Sequence, residues 1–279
     1  MLAISLSLLS AVLYGFGDFW GALASRRTHV LRVVPLIIFC GGLTVASLIP
    51  FLGATFSQGA IVSGIGAGIF GSLGFFLFYR ALAIGPMGIA SAIIAVVAAS
   101  IPYFFDVIQG THITALGTVG AVVALASIVL VSRSTEDATH PVTSKMVKMS
   151  LAAGIIVGGF FLGLSFAPSD SGVAAFTVTR ITQLTIMTTA YLVVRKKIQN
   201  TAKPNVRMAI ATGIFDALGA VAFIYATRTG SLATVAVVSN LYPAVTLFIA
   251  HFVIHERVER HQYLGMVGAV AAVALLTLA

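Results

Sequence analysis

Gly68 to Gly85 reads GIFGSLGFFLFYRALAIG, and 145 residues further on Gly213 to Gly230 reads GIFDALGAVAFIYATRTG. The pairs Gly68/Gly213, Ile69/Ile214, Phe70/Phe215, Leu73/Leu218, Gly74/Gly219, Phe78/Phe223, Ala81/Ala226 and Gly85/Gly230 are identical, eight of the eighteen positions. The echo extends outward in both directions. At a shift of 142, LSAVLYGFGDFWG (Leu9 to Gly21) lies over LAAGIIVGGFFLG (Leu151 to Gly163), and at a shift of 148, LGTVGAVVALA (Leu116 to Ala126) lies over LGMVGAVAAVA (Leu264 to Ala274). Similarity that returns at a nearly constant offset is the signature of an internal repeat. The expected organisation is a first unit over 1–132, a polar linker over 133–147 and a second unit over 148–279.

Composition decides the class. With 59% hydrophobic and only 9% charged residues in 279, the chain lacks the polar surface of a water-soluble globule. The expectation is an all-α polytopic membrane protein. A net charge of +8 raises the question of nucleic acid, but fourteen of the sixteen Lys and Arg fall in or beside one alternate set of connections between apolar segments. That is the pattern of a topology signal, not of a phosphate-binding patch. Cys40 stands alone within an apolar segment, which leaves neither a disulfide framework nor a cysteine metal site. The first segment contains Ala22-Leu23-Ala24, a small-residue pattern like a signal-peptidase site. It lacks a positive n-region, however, and Arg26 and Arg27 follow at once, so it is expected to stay as a span.

Ten apolar segments of about 20 residues can be cut at polar or Gly/Pro punctuation. They lie near 2–24, 33–54, 60–83, 86–106, 113–132, 148–167, 172–194, 207–227, 231–253 and 262–279, five to each unit. The basic connections follow the odd-numbered segments, and the opposite set holds only Arg228. By the positive-inside rule the basic loops are cytoplasmic and both termini external. An odd number of spans per unit then inverts the second unit relative to the first, a design found among secondary transporters. Gly17-x-x-x-Gly21 and Gly64-x-x-x-Gly68 are small-residue spacings that let helix backbones approach closely in lipid.

Ionisable side chains inside spans are costly enough that each is a candidate for function. Arg180 in segment 7 lies roughly 12 Å, and Asp216 in segment 8 roughly 16 Å, below the outer ends of their spans at the helical rise per residue. They are expected to meet, either at a working site or as a buried pair that fixes helix packing. Thr177 and Gln183, at i−3 and i+3 from Arg180, extend a polar stripe along the same helix. Asp18 lies within about 10 Å of the cytoplasmic end of segment 1, where water or Arg26 and Arg27 can satisfy it. It and Asp216 are the candidate coupling carboxylates. Segment 9 carries Ser239-Asn240-Leu241-Tyr242-Pro243 near its centre. Pro243 has no N–H and frees the carbonyl of Ser239, so the helix is expected to kink or break at membrane depth, where Asn240 and Tyr242 become candidate substrate contacts. Tyr14 and Tyr79, with Trp20 and Tyr225, can stack on a substrate or serve as packing. The sequence HERVERH lacks the HExxH spacing of a zinc site, and neither a phosphate loop nor a GxSxG elbow occurs. No enzyme, cofactor or metal is expected.

The stretch HERVERHQYLGMVGAVAAVALL after the mid-span proline resembles the drug/metabolite transporter superfamily, specifically its EamA-type members. There a helix with a central Pro leads to a Gly-Glu-Arg-like turn and a Gln-x-x-Gly that opens the last helix of each half. Pro243, Glu256-Arg257, Gln262 and Gly265 match that pattern, with His255 in place of the first Gly. In the first half GTHITALG (Gly110 to Gly117) keeps the Gly but has Thr111 for the Glu. The resemblance implies a multi-pass transporter of the cell (plasma or inner) membrane. It would export or facilitate amino acids, other metabolites or drugs by alternating access around a cavity between the repeats. Its partners would be a small-molecule substrate, a coupling ion such as H+ and the bilayer. The resemblance also implies cytoplasmic termini, against the charge bias of this chain. A passive solute or ion channel, or a membrane scaffold without transport, are the alternatives on the same bundle.

Overall fold

In a hydrocarbon medium every backbone N–H and C=O has to be satisfied within its own segment, and an apolar chain of this kind answers with helices. The computed structural model describes residues 1–85, 87–110, 114–132, 143–198, 202–253 and 260–278. Its α-helices are α1 (Leu2–Arg27), α2 (Val30–Leu52), α3 (Gln58–Ile84), α4 (Met87–Ile108), α5 (Ala115–Ser132), α6 (Ser144–Ser165), α7 (Ala174–Val194), α8 (Val206–Thr227), α9 (Leu232–Ser239), α10 (Tyr242–Val253) and α11 (Arg260–Leu278). The Glu256-Arg257 turn, Thr111 and residues 133–142 of the expected linker lie outside the described residues.

Several helices start on a hydroxyl or amide side chain that accepts an otherwise orphaned N–H. Ser57 accepts from Ala60 at 3.2 Å, Thr143 from Met146 at 3.2 Å, Asn205 from Met208 at 3.2 Å and Ser231 from Thr234 at 3.3 Å. Because Thr143 caps it, α6 takes in residues 144–147 of the expected linker. His29 caps α2 through Nδ1, which accepts the Leu31 N–H at 3.2 Å. Partial burial, and then the neighbouring Arg80 and Arg32, push its pKa down, which keeps the imidazole a neutral acceptor.

The protein is an all-α polytopic membrane protein. Among the described residues six helices, α1, α2, α3, α4, α6 and α8, are long and apolar enough to cross a membrane. Two of the other expected spans fall short of that measure for a physical reason. Segment 9 is divided between α9 and α10, and segment 7 carries Arg180 and Gln183. Large apolar side chains such as Phe39, Val62, Ile181 and Val267 stand exposed around the bundle, where lipid rather than water is the solvent.

The halves interleave. α1 packs on α8 as α6 packs on α3, α2 packs on α8 as α7 packs on α3, and α5 lies against α11. The connections that follow even-numbered segments are tied together. Ala54 and Gly172 form an antiparallel bridge, flanked by Val173 N–H to the Gly53 carbonyl at 3.0 Å and Thr55 N–H to the Ser171 carbonyl at 3.2 Å. Gly172 has φ +56, a conformation that side chains disfavour, and a Cβ there would run into the Gly53 carbonyl. Arg228, the basic residue on this side, donates to the Gly172 carbonyl at 2.8 Å and to Ser171 Oγ at 3.3 Å. Asp106, at the end of α4, accepts the Ala233 N–H at the start of α9 at 2.7 Å.

A topology reporter is expected to read cytoplasmic when fused at residue 200 and external at residue 279, because the basic residues lie on the other set of connections. A cytoplasmic signal at residue 279 would reverse this orientation.

Candidate functional site

Segment 9 is where the helical pattern stops in mid-membrane. Pro243 sits in the first turn of α10, where its missing N–H costs nothing, and Asn240 and Leu241 form the joint after α9. Asn240 is fully buried; its Nδ2 donates to the Ala236 carbonyl at 2.8 Å, while its Oδ1 and the Ser239 hydroxyl have no partner among the described residues. The break turns the Tyr242 ring onto the wall of a central cavity of about 70 Å³. Tyr14 and Asp18 of α1, Gly71, Gly74, Phe75 and Phe78 of α3, Val157, Phe160 and Phe161 of α6 and Asp216 of α8 complete that wall.

Beside it lies the ion pair. Arg180 Nη2 donates to Asp216 Oδ2, and Nη1 donates to Gln183 Oε1 at 2.9 Å. The guanidinium carbon stands 4.5 Å from the Phe176 ring centroid and 5.8 Å from that of Phe75. Arg180 is 3% exposed and Asp216 15%, so the carboxylate faces the cavity and the arginine stands behind it. Gly71 is glycine for a visible reason: a Cβ there would overlap Gln183 Nε2 and come within 2.9 Å of Phe160.

The structure brings Asp18, Asp216, Tyr14 and Tyr242 to one cavity and sets Arg180 and Gln183 directly behind it. It does not bring the others. Thr177 spends its hydroxyl on the Val173 carbonyl of its own helix at 3.0 Å. Thr179 makes the inter-helix bond instead, to the Gly64 carbonyl at 3.1 Å. Tyr79 is buried beneath Gly21 and stacked on Phe75, with centroids 5.8 Å apart, rather than lining the cavity. Asp18, which the sequence places within reach of water or Arg26 and Arg27, is on the cavity wall.

Sequence reasoning missed Asp106 and the wall aromatics Phe75, Phe78, Phe160 and Phe161. Asp106 could have been found as a carboxylate one turn beyond Pro102 in an apolar segment. The phenylalanines could not, since nothing separates them from the lipid-facing Phe70 or Phe104 until the helices are packed.

Residues 144–278 match the EamA-like transporter family. Through this half the chain belongs to that family. The EamA-like half supplies Arg180, Gln183, Asp216 and the broken segment 9, and the preceding half supplies Tyr14, Asp18 and Gly71. A solved structure described only as the crystal structure of a protein is similar over 99% of this chain and 96% of its own, with TM-score 0.74 and 14% identity, which speaks for the fold. No curated protein matches the sequence. Membership makes this EamA-like chain a membrane transporter of small solutes, of a family whose members are transporters and not enzymes.

Asn240→Ala is expected to remove one hydrogen bond worth about 1 kcal/mol. Membrane abundance should hold while transport per molecule falls severalfold, because the joint loses the side chain that closes α9. Normal transport per molecule would make Asn240 a packing residue only.

Proposed function

We propose that this EamA-like protein is a secondary transporter that works by alternating access around the central cavity, built from two inverted five-helix repeats of ten spans in all. The observation that carries the proposal is a cavity with two carboxylates on its wall and an ion pair at one of them, lined by residues of both halves and closed by contacts toward each side. Asp18 lies nine residues from Arg27 and Phe78 six from Ile84, roughly 14 Å and 9 Å from the ends that carry the basic connections. On that side Thr28 Oγ1 and Arg32 Nη1 donate to the Ala202 carbonyl, and the Ala54–Gly172 bridge, Arg228 and Asp106 hold the opposite side. The reciprocal packing of α1 on α8 and of α6 on α3 supports two copies related by a pseudo-twofold axis. The saturable carrier is favoured over a channel because a channel needs a path through both sides at once.

The test uses Thr55 and Ser171, which face each other across the bridge. A Thr55→Cys/Ser171→Cys pair in a Cys40→Ser background would be oxidised in liposomes, and solute flux measured before and after reduction. The expected result is saturable flux that falls at least about tenfold on oxidation and returns with reductant, since a locked side stops the cycle. Undiminished flux in the oxidised protein would refute alternating access, and non-saturating flux would favour the channel.

A further inference from the structure

The wall of the cavity carries two carboxylates, and among the described residues no Lys, Arg or His lines it. Asp216 has its countercharge: Arg180 lies behind it, buried and committed to Asp216, Gln183 and the faces of two phenylalanines. Asp18 has none. Among the described residues it makes no hydrogen bond and no ion pair, although Tyr79, Tyr242 and Asp216 are within electrostatic reach. A second polar group on the same wall is also unsatisfied, since Tyr14 is 7% exposed and its hydroxyl has no partner among the described residues. Around these two stand the rings of Phe75, Phe78, Phe161 and Tyr242.

A carboxylate at membrane depth without a cation is expensive, and an unpaired hydroxyl adds to the cost. Both costs disappear when a positively charged ligand enters. Aromatic faces attract the same charge through their quadrupoles, most strongly where water is excluded, and they take quaternary nitrogen as readily as ammonium. An anion meets the opposite situation, two carboxylates in one low-dielectric space with the arginine screened behind one of them.

We propose that the cavity binds an organic cation, a protonated amine or quaternary ammonium on an apolar or aromatic body, with Asp18 as its counter-ion and Tyr14 as a polar contact. The inference rests on the reading of this cavity as the substrate site.

The test is calorimetric titration of the purified protein in neutral detergent with three probes of one scaffold: benzyltrimethylammonium, benzyl alcohol and phenylacetate. Saturable binding is expected for benzyltrimethylammonium alone. In Asp18→Asn its Kd should rise about tenfold or more, the loss expected when a charged partner is removed, while Asp18→Glu keeps most of the affinity. Melting temperatures of both variants show whether they are folded. If Asp18→Asn does not fold, the ranking of the three probes on the unaltered protein decides. Stronger binding of phenylacetate or benzyl alcohol, or a Kd for the cation unchanged in folded Asp18→Asn, overturns the proposal. The transporter reading fails separately. A cation that binds but is not moved across liposomes leaves this inference standing and sinks transport, whereas saturable flux of neutral or anionic solutes without cation binding does the reverse.

Discussion

Arg180→Gln and Asp216→Asn are each expected to destabilise the protein by about 3–5 kcal/mol, the cost of stranding one member of a buried ion pair. The effect is large because among the described residues no other group is placed to take over. Arg180 has its remaining Nη1 on Gln183 Oε1 and its Nε unpartnered, so loss of Asp216 leaves a cation between two phenylalanine rings. Loss of Arg180 leaves a second unbalanced carboxylate on the cavity wall beside Asp18. The double variant, neutral at both positions, should regain most of the melting temperature. Transport normalised to protein present should stay at least about tenfold down, because the charge that Asp216 offers to the cavity is gone. Thermal unfolding and liposome flux of the three variants make the comparison, and full activity in the double variant would reduce the pair to a packing device.

Gly71→Leu should be nearly as damaging from the other side of the same pair. Even a Cβ at this position overlaps Gln183 Nε2, and the next atoms of a leucine would enter the space of Phe160 and the cavity. Overpacking of this kind costs about 1–3 kcal/mol or more, and it has to displace Gln183 from Arg180. The expected outcome is a clear fall in melting temperature together with loss of transport. Gly71→Ala should show a milder form of both, and a Gly71→Leu protein with native stability and flux would mean that Gln183 has no part in holding Arg180.

The pairing of Arg180 with Asp216 was legible because depth in a membrane is counted along the chain. Two charges at matching depths on different apolar segments have few alternatives to each other. The joint in segment 9 was equally legible, since a proline without an N–H interrupts a helix wherever it stands. What a side chain faces is a different kind of property. Thr177 shares a stripe with Arg180 and Gln183 by helical spacing, yet its hydroxyl stays on its own helix while Thr179 reaches Gly64. Tyr14 and Tyr79 look alike in the sequence, but only Tyr14 meets the cavity.

From the sequence alone came the class of the protein, its membrane solvent, the duplicated pattern around Gly68 and Gly213 and the residues able to carry charge at depth. Each follows from composition, periodicity or position along one segment. Only the tertiary structure decided that Arg180 stands behind Asp216, that Asp18 joins the cavity and that Asp106 holds the start of α9. The rotation of a helix about its axis is set by residues on its neighbours. Gly71 makes room for Gln183, Phe176 lies against the guanidinium, and Gly64 admits Thr179. Those neighbours are far apart in the chain, so no local pattern contains them, and in lipid, where small residues and close packing set the fit, they decide which of two similar side chains meets the cavity.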